Sequence, residues 1–313
     1  MTPFATVAWS SVNDYRVTDR LGPMIAYATA ALGAAGIESP RNDAELLAAF
    51  VLGVARGRLL LADGFTAEQG RAFTELVERR KNREPLQYLT GTAAFRHLSL
   101  AVGPGAFVPR PETELVAGWG IDAARRLAAP VVVDLCAGPG PIALSVATEV
   151  PAATVYAVER SPAALAWLHR NVAALAPGVT VVAGDIADPA LLADLGGTVD
   201  VVLCNPPYVP EGTPVPPEVG RFDPAEAVFG GPDGLAVVRP VVSRAGALLR
   251  TRGGLAIEHD EAHAAAVPDL LRADGRFVEI EAHRDLTGRP RFTTARRGPD
   301  GGPHGRLSPR DAL

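Results

Sequence analysis

Asp134-Leu135-Cys136-Ala137-Gly138-Pro139-Gly140 closes the apolar run that starts at Val131 and precedes a stretch of helical spacing, Ile142–Thr148. A strand that runs into a glycine turn and then a helix brings backbone close to a ligand at a helix N-terminus. Glycine tolerates that approach and its unusual dihedrals, although glycines at such a turn also serve tight packing. The dinucleotide fingerprint fails here, because the third glycine position is Ala143. Asp134 would repel a pyrophosphate but suits a ligand carrying an ammonium and a sulfonium.

Downstream, apolar runs at Val155–Val158, Val179–Val182, Val199–Cys204 and Leu255–Ile257 alternate with helical stretches at Ala163–Asn171, Leu235–Leu249 and Glu261–Ala273. Strands buried on both faces, with helices between them, predict a parallel doubly wound α/β sheet. Phe277–Ala282 and Pro290–Arg296, with a turn at Thr287-Gly288, read as a terminal antiparallel pair.

Upstream the pattern is different. From Met24 to about Arg83 the chain reads as short amphipathic helices. One covers Asn42–Leu52, with Leu46, Leu47 and Phe50 on one face; another covers Thr66–Lys81, with Thr66 as N-cap and Gln69 three residues on. The expected organisation is a tail over 1–20, a helical domain over 21–90, a hairpin or linker over 91–110, the α/β domain over 111–297 and a disordered tail rich in Gly, Pro and Arg over 298–313. Helical patterning begins at Met24, the second of two methionines, so translation is a candidate to start there.

Of the 313 residues 48% are hydrophobic and 21% charged, enough for sizeable cores and against wholesale disorder. The 30 Lys+Arg against 35 Asp+Glu give a net charge of −5, which disfavours a protein whose affinity comes from neutralising phosphates. No apolar run approaches a membrane span and no signal-peptide pattern opens the chain, so a cytoplasmic location is expected. Two cysteines and six histidines provide neither a disulfide framework nor zinc-ligand spacing. Glu258-His259-Asp260-Glu261-Ala262-His263 is not H-E-x-x-H, and no metal is expected.

The second strand of the α/β pattern ends at Glu159, placed to accept from two ribose hydroxyls or to be a solvated strand-end charge. The third ends in Gly184-Asp185-Ile186, either an Asx turn or a carboxylate and an apolar side chain for an adenine ring. Three carboxylates converging on one sheet edge, with the glycine turn, resemble the class I S-adenosylmethionine-dependent methyltransferases. The fourth strand ends in Asn205-Pro206-Pro207-Tyr208. That sequence is a stiff exit loop or, beside the glycines, two acceptors (the Asn205 side chain and the Pro206 carbonyl) and a flat Tyr208 ring for a planar nitrogen bearing two hydrogens. An amide nitrogen is a poor nucleophile, and acceptors at both N–H bonds favour the charge that develops as it attacks.

Arg83–Gly91, Phe107–Glu114, the glycine turn, Asn205–Tyr208, Gly231–Gly234 and Asp285–Arg291 together resemble the HemK/PrmC family of protein-(glutamine-N5) methyltransferases, over roughly Met24 to Arg297. The resemblance implies a seven-stranded, mostly parallel Rossmann-like domain, a small all-helical N-terminal domain that recognises the protein substrate, and class I peptide-chain release factors as partners. It implies cofactor contacts at Asp134, Cys136, Ala137, Gly138, Pro139, Gly140, Glu159, Asp185, Ile186 and Asn205. It implies substrate contacts at Asn205, Pro206, Pro207 and Tyr208, with Asn205, Pro206 and Tyr208 catalytic and S-adenosylhomocysteine the product. Phe107 and Arg110 are expected to line the cleft, and Glu112 and Glu114 to open a helix. Cys136 stands where the family usually has a glycine, and Pro139 and Pro141 remove N–H donors. Cys136 and Cys204 end adjacent strands, and a disulfide between them would distort the site. Two other readings remain: a nucleic-acid amino-group methyltransferase, and a non-catalytic binding protein on the same scaffold.

Overall fold

The computed structural model describes residues 20–299; the two expected tails otherwise lie outside the described residues. The chain divides into two units, one running to Thr90 and one beginning at Gly91.

The first unit holds α1 (Leu21–Ala34), α2 (Pro40–Leu52), a 3₁₀ turn (Arg56–Leu61), α3 (Ala67–Lys81) and α4 (Leu86–Thr90). α2 starts two residues ahead of the expected Asn42, because Pro40 at the first helical position loses no hydrogen bond. Thr66 and Gln69 form a reciprocal capping box on α3, with bonds of 2.9 and 3.2 Å. Leu32, Leu47, Phe73 and Val77 build the core. Phe50, expected on the inner face of α2, is exposed instead: the helix packs through Leu47 and through Ala44 and Ala48, whose small side chains let it approach its neighbours closely.

The second unit opens with the antiparallel hairpin β1 (Thr92–Phe95) and β2 (Leu98–Ala101), followed by α5 (Thr113–Ala124). Then come β3 (Val131–Leu135), α6 (Pro141–Glu149), β4 (Thr154–Glu159), α7 (Pro162–Leu175), β5 (Thr180–Ala183) and β6 (Val199–Cys204). Short helices α8 (Pro217–Phe222) and α9 (Ala225–Val228) precede α10 (Val238–Leu248), β7 (Leu249–Glu258) and α11 (Ala266–Asp274). The antiparallel β8 (Phe277–Arg284) and β9 (Pro290–Arg297) finish the sheet. β7 begins well before the expected Leu255, since Arg250, Thr251 and Arg252 break the apolar run at its less buried end.

The seven strands lie in the order β5-β4-β3-β6-β7-β9-β8, with β9 antiparallel to β7 and β3 to β7 mutually parallel. Alternate side chains face opposite cores. Val132 and Leu203 pack with Ile121, Leu144 and Leu168, while Val133 and Val202 pack with Val241 and Leu271. The chain runs outward from β3 to β5 and then returns to β6 on the other side of β3. That reversal leaves a crevice at the carboxyl ends of β3 and β6, where sheets of this kind bind ligands. Leu135 pairs with Cys204, so the loops that begin at Cys136 and Asn205 leave the sheet side by side.

Candidate active site

A cavity of about 210 Å³ opens at that edge. Cys136, Ala137, Gly138 and Pro139 form one wall, and Asn205 and Pro207 another. Glu159, Asp185 and Ile186 complete it from the ends of β4 and β5.

The turn after β3 is held from beneath. Gly138 N donates to Glu159 Oε2 at 2.8 Å, Ala137 N to the Val158 carbonyl at 2.8 Å and Gly140 N to the Ala137 carbonyl at 2.9 Å. Asn171, which is buried, donates to the Pro139 carbonyl at 2.9 Å and pairs with both backbone groups of Ala101, so it ties β2 to the turn. Gly138 has φ +56°, and a Cβ there would meet no protein atom within 4 Å. Its missing side chain leaves room along the cavity wall. Cys136 has φ +64°, a conformation that glycine adopts freely and other residues adopt at a cost.

Gly140 and Asp134 are placed differently from the sequence expectation. Gly140 does not line the cavity; a Cβ there would lie 2.7 Å from Leu168 Cδ1 and 2.9 Å from Leu144 Cδ1, so glycine is required for helix packing. Asp134 is buried beneath the turn, where Oδ2 accepts from Ala143 N at 3.0 Å and Oδ1 has no hydrogen-bond partner. Burial pushes its pKa up to about 8, against the pull of the Ala143 bond.

Both carboxylates at the cavity also support backbone. Glu159 Oε1 accepts from Arg160 N and Ser161 N, each at 2.8 Å. Its oxygens still carry lone pairs for further donors. Asp185 Oδ1 accepts from Ala187 N at 2.9 Å, which is the Asx turn, while Oδ2 lies 3.6 Å from Arg160 Nη1. Ile186 presents an apolar surface beside them.

In the loop after β6, Asn205 Nδ2 donates to Thr113 Oγ1 at 3.0 Å, which leaves Oδ1 as the acceptor. Pro206 and Tyr208 do not line the cavity. Tyr208, expected as a stacking face, is turned inward because its half-buried hydroxyl finds an acceptor there: it donates to Glu258 Oε1 at 3.0 Å. Glu258 is buried, and burial pushes its pKa up to about 7 against the hydrogen bonding of Thr113 and Tyr208 and the charge of Arg291.

Phe107 lines the cavity, but Arg110 does not. The Arg110 guanidinium lies 4.9 Å from the centre of the Phe107 ring and pairs with Asp223. Asp223 also accepts from Val108 N at 3.4 Å, and burial raises its pKa. Cys136 and Cys204 are free thiols, and burial together with the neighbouring Cys136 raises the pKa of Cys204. His259 bonds Thr293 Oγ1 at 2.8 Å and the Asp260 carbonyl at 2.9 Å. Among the described residues no group of three or more His, Cys, Asp or Glu is placed to hold a metal ion.

Thr113, Asn171, Asp223 and Glu258 were not singled out as site residues by sequence reasoning. Thr113 sits in the segment Phe107–Glu114, where Glu112 and Glu114 read as a helix start. Glu258 begins the histidine segment weighed only for metal.

A seven-stranded, mostly parallel sheet with this crevice is the class I methyltransferase fold. The hMettl16 catalytic domain, solved with an RNA hairpin from the MAT2A 3'UTR, shares it at a TM-score of 0.51, covering 76% of this chain and 84% of that one at 16% identity. Residues 24–91 match the PrmC N-terminal domain and residues 122–216 the methyltransferase small domain. A release factor glutamine methyltransferase of Mycolicibacterium smegmatis is 51% identical over 89% of this chain and 98% of its own length. The enzymes of that name from Streptomyces coelicolor and Deinococcus radiodurans are 46% and 39% identical, over 87% and 89% of this chain and 96% and 99% of theirs. The chain belongs to the release factor glutamine methyltransferase family, whose methyltransferase domain implies use of S-adenosylmethionine. The residues present fit that cofactor: an open glycine, a carboxylate with free lone pairs and an apolar shelf share one edge of the sheet. No helix among the described residues is long and apolar enough to cross a membrane.

Proposed function

We propose that the chain methylates the side-chain amide nitrogen of a glutamine in a class I peptide-chain release factor. The observation that carries this reading is that Asn205 shares a single cavity with Gly138, Glu159 and Asp185. An acceptor for an amide therefore lies within the same walls as the groups suited to the cofactor.

When bound, S-adenosylmethionine supplies a methyl carbon on a positively charged sulfur. Glu159 takes the ribose hydroxyls, Asp185 and Ile186 the adenine, and the backbone from Cys136 to Pro139 the amino-acid end. Ala137, Gly138 and Gly140 already donate their N–H groups within the protein, and Pro139 and Pro141 have none, so this turn holds its ligand more by shape than by donors. Asn205 Oδ1, on the cavity wall, accepts from an N–H bond of the glutamine amide. Tyr208 anchors that loop to β7 through Glu258. Held so, the nitrogen presents its lone pair in line with the methyl group. The cofactor would supply its methyl group to this nitrogen and leave as the thioether, and the nitrogen gives up one proton as the new N–C bond replaces an N–H bond. The products are an N5-methylglutamine, S-adenosylhomocysteine and a proton. The helical unit is assigned to recognition of the protein substrate, and such a substrate sets the reaction in the cytoplasm.

The test is intact-mass analysis and peptide mapping of a release factor after incubation with the chain and S-adenosylmethionine. A single adduct of about 14 Da on one glutamine is expected. An unmodified release factor, or transfer of labelled methyl to RNA or DNA instead, would overturn the assignment.

A further inference from the structure

Three polar residues outside the cofactor side of the cavity come from separate segments: Thr113, which opens α5 and lines the cavity beside Asn205, Glu258 at the end of β7, and Arg291 in β9. They meet beneath the loop after β6. Thr113 Oγ1 accepts from Asn205 Nδ2 at 3.0 Å, and Tyr208 donates to Glu258 Oε1 at 3.0 Å. Thr113 approaches the same carboxylate closely enough to favour its ionised form, and Glu258 Oε2 is buried without an aligned donor of its own. Arg291, held by Asp285 at 3.3 Å, is the cation that acts on both Tyr208 and Glu258.

The chain of donors has a direction. A carboxylate only accepts, and a threonine hydroxyl has one proton. Were that proton turned to the orphaned Glu258 Oε2, the lone pairs of Thr113 Oγ1 would remain for Asn205, which must then offer Nδ2, the orientation present. Oδ1 is then the atom left for the cavity. The opposite amide orientation would set Oδ1 against a hydroxyl lone pair.

We propose that Thr113 and Glu258 are positioning residues that fix the polarity of the Asn205 carboxamide, so that Oδ1 rather than Nδ2 meets the substrate amide. This rests on the reading above, in which Asn205 accepts from the glutamine amide. Thr113→Val keeps the shape and removes the hydroxyl, whereas Thr113→Ser keeps the hydroxyl. Glu258→Gln is isosteric and adds a donor, so the chain can run backwards, from Gln to Thr113 and from Thr113 to Asn205 Oδ1.

The experiment compares these full-length variants and Asn205→Ala with the wild type. It measures kcat for release-factor methylation, cofactor Kd by calorimetry and the thermal midpoint. Thr113→Val and Glu258→Gln should lose about 10- to 100-fold in kcat, a loss of the kind seen when one oriented dipole is misdirected. Cofactor Kd should stay within about threefold, because the lost interaction is made on the acceptor side. Thr113→Ser should recover most of the rate. Wild-type kcat in Thr113→Val and Glu258→Gln beside an inactive Asn205→Ala would overturn the positioning role and leave the proposed function standing. Equal loss in Thr113→Ser and Thr113→Val would overturn it too, since only packing would then matter. Full activity in Asn205→Ala would instead strike at the reading on which it rests.

Discussion

Glu159 Oε2 accepts the backbone N–H of Gly138 at 2.8 Å, so the carboxylate that ends β4 also supports the turn that follows β3. Its other oxygen holds Arg160 N and Ser161 N at the start of α7. Removing this side chain therefore does more than delete the proposed ribose contact. Glu159→Ala should weaken cofactor binding by at least about tenfold, the scale of one lost charge-assisted hydrogen bond. Glu159→Gln, which keeps one acceptor, should fall between. Calorimetric titration with S-adenosylhomocysteine reads both, and wild-type affinity in the alanine variant would remove Glu159 from the site.

Cys136 occupies a left-handed backbone conformation at φ +64°, on the cavity wall beside Cys204. A non-glycine residue there carries a cost of roughly 1–2 kcal/mol, part of which glycine gives back through its freer unfolded chain. Cys136→Gly should be as stable as the wild type or more so, and should keep its activity. Cys136→Val, β-branched at a position that tolerates branching least, should lower the denaturation midpoint with the slope unchanged. A valine variant as stable as the glycine variant would show that the turn does not hold this conformation.

How much of this was legible in the sequence depends on the direction in which a side chain leaves the backbone. The glycine turn, Glu159, Asp185 and Asn205 could be placed at one sheet edge because each ends an apolar strand and parallel strands end together. Spacing alone does not separate the two glycines: Gly138 borders open space, while Gly140 packs on Leu144 and Leu168. Nor does it show that Tyr208 points inward, which follows from where Glu258 lies, 50 positions later in the chain. Thr113 was hidden for the same reason. Its partner Asn205 is 92 positions away, and two flanking glutamates gave the segment an adequate local explanation as a helix start.

In the helical unit, Arg80 Nε donates to Asp43 Oδ2 at 2.8 Å, with both side chains only 9% exposed. Arg80 Nη1 also reaches the Glu84 carbonyl at 3.1 Å, which links α2 and α3 to the segment before α4. Breaking a buried pair leaves an uncompensated charge, which costs about 3–5 kcal/mol. Asp43→Ala should therefore lower the stability of this unit by about 3 kcal/mol, near the lower end of that range. Circular dichroism under denaturant checks this in the intact protein. A midpoint within error of the wild type would mean that the pair contributes nothing net.

Glu258 gives activity and stability opposite dependences on pH. Its pKa is raised from 4.5 to about 7 by burial; the groups acting on it are Arg291 from β9, Glu112 ahead of α5, and Thr113 and Tyr208, with the Cys204 thiol nearby. A raised folded-state pKa means that the folded protein holds a proton the unfolded chain releases earlier. The associated stability is present in full below about pH 4.5 and is lost as the pH climbs through about 7. Asp134, raised from 3.8 to about 8, adds a loss of the same sign. Turnover should move the other way. Only the ionised carboxylate forces the Thr113 proton towards itself, so kcat should rise with pH through an apparent pKa near 7 and level off above it. Glu258→Gln should lack both the acid limb of the kcat profile and this residue's share of the stability slope, retaining the share from Asp134. A variant profile that keeps the wild-type limb would assign that titration to another group.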